Sequence, residues 1–199
     1  MEELRIAGSA RYHQGSFAVN GAVRSTAAGD REACISAAWA AMGATYDRFH
    51  RVDAVSKLVL LCTEALLAPL PIDEDLTERT GIVLMSRLGS LDTDLRYHSG
   101  LVEQNLASPA LFVYTLPNIA MGELSIRHGL HGAGHCLIAA GPDTDRLRQV
   151  CTMLLAEEGM HRVICGWADI FADEASATFM LVGSEGRPWD QDEVNQLYR

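Results

Sequence analysis

Apolar and polar positions along the chain fall into blocks that alternate between two periods. Leu4 to Ala7 is a short apolar run stopped by Gly8, and the stretch from there to Asp30, rich in Gly, Ser, Ala and Asn, reads as a long connecting loop. From Arg31 the small residues of ACISAAWAAMGATY predict a closely packed helix that ends near Gly43. Asp53 can cap a second helix, AVSKLVLLCTEALLA, whose apolar residues wrap most of its circumference and predict deep burial. After the acidic loop PIDEDLTERT, the continuous run GIVLMS suits a strand covered on both faces.

The second half repeats the rhythm. GSLDTD resembles a helix entry with acids at the positive end of the dipole, and Pro117 and Asn118 cut the following segment in two. Residues 119 to 128 have helical spacing, with Ala120 and Gly122 small enough to let another backbone approach. HCLIAAG reads as another buried strand, and DTDRLRQVCTMLLAEEG as an amphipathic helix capped by Asp143 or Thr144. RVICGWADIF and ASATFMLV read as a strand pair, and the polar tail from Gly183 carries a last short helix. Helices alternating with buried strands define an α/β protein, with no linker or internal repeat, so residues 1–199 are expected to form a single domain.

Composition narrows the class. The 199 residues hold 16 Lys and Arg against 26 Asp and Glu, a net charge of −10 with no basic run, which argues against nucleic acid as a partner. The acidic start MEELRIAGSA is unlike a signal peptide, no stretch approaches a membrane span, and a cytoplasmic protein is expected. The five cysteines, 34, 62, 136, 151 and 165, are odd in number and lack CxxC spacing, as for reduced and mostly buried thiols.

Familiar chemistry is hard to place. The GLHGAG stretch, Gly129 to Gly134, leads into a strand, whereas a phosphate cradle follows a strand and opens a helix, so no nucleotide cofactor is expected. His128, His131 and His135 could be metal ligands, but Gly129, Gly132 and Gly134 break any helix that would align them, and structural histidines are the expectation. No GxSxG is present, and Cys136 lies on an apolar run rather than at a helix N-terminus that would activate it.

The run SPALFVYTLPNIAMGELSIRHGLHGAG, with Ser-Pro, a Phe, an Asn, a small residue and Gly, then GL, resembles the N-terminal half of the β-ketoacyl synthases, condensing enzymes with the thiolase fold. VICGWAD is similar to the family's later strand, and VDAVSKLVLLCTEALL and TGIVLMSRLGS to its preceding helix and strand, so the likeness covers most of the chain from residue 52. The resemblance implies a thiolase-like half fold with a mixed central sheet and buried helices packed on it. In that family a cysteine after the GL-GP element takes the acyl group as a thioester. Counted without gaps from Asn118, that place falls at Gly141, which has no side chain, and the family's two C-terminal histidines have no counterpart. The usual Pro of GP is Ala133. The pattern is similar to the chain length factors, including the short forms of aryl-polyene pathways.

That resemblance implies a non-catalytic subunit paired with an active ketosynthase that elongates chains on an acyl carrier protein. It implies that His135, Cys136, Leu137, Ile138 and Ala139 form a dimer edge strand, and that Leu111, with Phe112, Tyr114, Thr115 and Asn118, lies at the acyl tunnel and interface with the partner. A half fold is also expected to leave apolar faces uncovered. Against it stand simpler readings: Leu111 and Phe112 as core residues, Asn118 as a helix cap, Gly122 as a close helix contact. The rival functions are a free-standing acyltransferase or condensing enzyme using Cys136 or another non-standard nucleophile, and a metal-dependent hydrolase built on His128, His131 and His135.

Overall fold

The computed structural model describes residues 3–199. The chain opens with a three-stranded meander, β1 (Arg5–His13), β2 (Ser16–Val19) and β3 (Ala22–Thr26), followed by α1 (Arg31–Ala41) and α2 (Ala54–Leu67). The short α3 (Glu74–Glu78) leads into β4 (Thr80–Ser86) and α4 (Leu91–Gln104). Next come α5 (Pro109–Phe112), a single 3-10 turn, α6 (Ile119–His128) and β5 (Gly134–Ile138). The remainder is α7 (Thr144–Ala156), β6 (Arg162–Phe171), β7 (Glu174–Gly183), the two-residue β8 (Arg187–Pro188) and α8 (Gln191–Leu197).

All strands join one mixed sheet in the order β3-β2-β1-β7-β6-β4-β5, with β8 paired to β1. β4 runs parallel to both β5 and β6, and the other pairings are antiparallel. A buried cluster lies on each face. On one, α1, α2 and α6 cover Ala10, Tyr12, Ile82, Leu84, Ile164 and Phe179; on the other, α7 and α8 cover Val83, Met85, Val163, Cys165, Met180 and Val182. Alternate residues of β4 and β6 feed the two clusters, which is why both strands read as continuous apolar runs. Asp53 caps α2 through its side chain, and every residue of that helix except Ala65 is buried.

The expected long loop after Leu4–Ala7 is instead the β1–β3 meander. Its two turns are Gln14-Gly15 and Asn20-Gly21, all four residues at positive φ, and the second is a dipeptide that two-residue hairpin loops favour. The acidic loop contains α3, capped by Asp73. The expected buried strand at HCLIAAG is half exposed, because β5 pairs with β4 alone and forms one edge of the sheet. Gly122 is no close contact, since a Cβ there would meet nothing within 4 Å. Asn118 stands at the N-cap of α6 without a capping side-chain bond.

The sheet faces are not left bare, contrary to expectation. Trp189 and Val194 are buried against the second cluster, and Leu197 and Tyr198 pack on it, so the C-terminal segment lies beside α7 as a cover. Gln191 donates to Thr144 Oγ1 at 2.6 Å, tying α8 to the first turn of α7. Large apolar side chains stand in solvent elsewhere: nine of the twelve lie between Leu95 and Ile138, which marks α4, α5, the turn after it, α6 and β5 as the uncovered side. Phe112 and Ile138 are 58% and 60% exposed.

Candidate functional site

Gly141 sits between β5 and α7, two residues before the Asp143 side chain accepts the Arg146 N–H at 2.9 Å to cap that helix. A Cβ added at Gly141 would meet nothing within 4 Å, and its φ needs no glycine. Neither packing nor backbone excludes a nucleophile there. Gly132 is the opposite case: a Cβ would stand 2.3 Å from the Thr80 carbonyl oxygen, so the glycine-rich stretch serves to cross the start of β4 closely.

Gly141 opens onto a hollow of about 280 Å³ floored by Trp167, Asp169, Ser176 and Thr178. Asp169 organises this end of the sheet. Its Oδ1 accepts from Ser86 Oγ at 2.8 Å and from the Arg87 and Leu88 N–H groups at 3.2 and 2.9 Å, and its Oδ2 pairs with Arg87 Nε at 3.3 Å. A buried carboxylate with this set of partners holds the end of β4 against β6. No thiol lines the hollow. Cys136 packs against the α2 cluster, on the other face of the sheet, and burial raises its pKa, so it lacks the setting of an activated nucleophile. Of the cysteines, Cys34, Cys62, Cys151 and Cys165 are buried, Cys136 half-buried, and all five are free.

The three candidate histidines diverge. His128 faces Glu64 at 3.3 Å, His131 faces Glu78 at 3.3 Å and His135 faces Glu158 at 3.9 Å. Among the described residues no three His, Cys, Asp or Glu side chains gather as a metal set.

The residues 111 to 118 divide. Tyr114 turns inward, its hydroxyl donating to Glu123 Oε1 at 3.0 Å, and burial followed by that carboxylate pushes its pKa up to about 12. Thr115 donates to the Phe112 carbonyl at 2.7 Å and its own carbonyl accepts from Ser90 Oγ at 2.8 Å, fixing the turn against the start of α4. Leu111 is half-buried, whereas Phe112 and Asn118 face outward, and the Phe112 ring leans on Tyr97 with centroids 5.5 Å apart. Phe112 is therefore not a core residue of this chain. The edge residues His135 to Ile138 pair in parallel with Val83 to Ser86, and the Ala139 N–H extends the ladder to the Ser86 carbonyl. The outer edge of β5 has no strand beside it.

The mixed sheet between helical layers is a fold shared with solved ketosynthase structures. Solved structures similar to the chain bear this out. One is the ishigamide ketosynthase/chain length factor, with a TM-score of 0.63 and 15% identity over 91% of this chain and 62% of that one. Another is the ketosynthase ApeO in complex with its chain length factor ApeC from Xenorhabdus doucetiae, with a TM-score of 0.59, 18% identity, 94% of this chain and 81% of that one. A third is AntDE:AntF, a type II polyketide synthase carrier protein in complex with its ketosynthase, with a TM-score of 0.63, 12% identity, 98% of this chain and 65% of that one. The chain thus spans less than two thirds of the ishigamide and AntDE chains it matches. No family model and no curated protein matches the sequence.

Proposed function

We propose that this chain is a non-catalytic, ketosynthase-like subunit of the chain-length-factor type, acting as one unit with an active β-ketoacyl synthase in the cytoplasm. The reading rests on Gly141: gap-free counting puts it at the place of the family's nucleophile, and a Cβ there would meet nothing within 4 Å, so the missing side chain is not forced by packing. Its partner supplies the thioester chemistry. The uncovered apolar side from Leu95 to Ile138 adjoins the free edge of β5, and together they offer an apolar surface and a row of unpaired backbone groups to a second chain. His135 to Ala139 form the pairing edge in this reading. Leu111, Phe112 and Asn118 face the partner, and their bulk limits how far an acyl chain extends, while Tyr114 and Thr115 hold that segment in place. The growing chain arrives on an acyl carrier protein.

Co-expression with an active ketosynthase from the same source tests the pairing. A 1:1 complex by size exclusion with light scattering is expected, and Phe112→Ala should shift the product distribution toward longer chains. A ketosynthase that gives the same products with and without this chain contradicts the reading.

A further inference from the structure

We propose that the hollow beside Gly141 is a binding site for a small anion, a carboxylate or phosphate group, held by Arg11, His13 and Ser176. The register of three strands builds it. His13 on β1 lies opposite Ser176 on β7, which lies opposite Asp169 on β6, and the next row places Arg11 opposite Thr178 opposite Trp167. Trp167 belongs to the α7-side cluster, so this polar floor shares the face of α7 and lies beyond the carboxyl ends of the parallel strands β4 and β5, where open α/β sheets receive ligands.

The charges favour an anion. The side chains of Arg11, Arg87 and Arg199 line the hollow with Asp169 as its one acidic side chain, and Glu174 stands at the adjoining rim. Asp169 is fully engaged by Ser86, Arg87 and Leu88. Arg11, though half-buried, and His13 make no side-chain hydrogen bond or ion pair with the described residues. A guanidinium drawn partly out of water and left without an acceptor is set to take an oxyanion. The row is no hydrolytic triad, because Ser176 stands between His13 and Asp169 and the carboxylate cannot orient the imidazole. Gly141 completes the site by leaving its mouth free of a side chain.

The site is built within one chain and stands independently of the pairing reading. Calorimetric titration of the full chain alone, with inorganic phosphate and separately with succinate at matched ionic strength, tests it. Saturable binding of at least one is expected, and the tighter of the two identifies a phosphate ester or a carboxylate as the ligand class. Arg11→Gln should weaken it about tenfold, the loss of one charge-assisted contact. Gly141→Glu, which places a carboxylate in open space, should abolish it, and Arg24→Gln, an exposed arginine on β3, should leave it unchanged. Absence of saturable binding, an equal loss in Arg24→Gln, or undiminished binding in a folded Gly141→Glu variant overturns the proposal.

Discussion

Glu64 is a carboxylate buried at 5% exposure in a helix made mostly of apolar side chains. Burial alone would raise its pKa, but hydrogen bonds from His128 and Arg127 and the charges behind them pull it down to about 2. Arg127 reaches both carboxylate oxygens, at 2.9 and 2.6 Å, and lies over the Tyr46 ring, so α2 and α6 are joined by a bidentate pair. Because the folded pKa lies below the ordinary value of 4.5, the stabilisation is fully present above that pH and is lost as pH falls toward 2. Glu64→Gln should therefore cost about 2 kcal/mol at neutral pH, by leaving the half-buried Arg127 without its partner, and urea melts should show the gap to the parent closing as pH falls toward 2. The two glycines give a sharper contrast. Gly132→Ala should lose about 2 kcal/mol against the Thr80 carbonyl, whereas Gly141→Ser should stay within about 0.5 kcal/mol of the parent, both read from denaturant midpoints.

Among the elements, β5 and the α4–α5 segment carry the account. Both present large apolar side chains to solvent, so changing them should leave the chain folded and act on association. Ile138→Lys and Phe112→Glu are expected to keep the circular dichroism and melting temperature of the parent, while weakening the ketosynthase complex at least about tenfold in sedimentation or calorimetry. The apolar run HCLIAA could not distinguish a strand buried inside its own chain from an edge prepared for another, since hydrophobicity alone is the same for both. The meander β1–β3 was illegible for the reverse reason. Its strands carry no continuous apolar run, and the dipeptide Asn20-Gly21 is the hairpin signal the sequence offers there. The helix start at Asp53 was readable to the residue and the one at Asp143 to within one residue, because capping is local chemistry.

For the whole molecule, the sheet is closed on both faces by its own helices. α8 has a part in this, since Trp189 and Val194 are buried in the α7-side cluster, and Trp189→Ala should destabilise by about 3 kcal/mol in urea denaturation. Gap-free counting from Asn118 could point to Gly141 from sequence alone, because the segment between them is continuous. The hollow it opens onto was not, since Arg11 and Thr178 meet only through the register of β1 and β7, across most of the chain. The central claim is that the chain carries no acyl group of its own. Intact-mass spectrometry of the chain after incubation with its ketosynthase and an acyl-loaded carrier protein tests this directly. The account predicts an acyl adduct on the ketosynthase and an unchanged mass for this chain; an acyl adduct on this chain would contradict it.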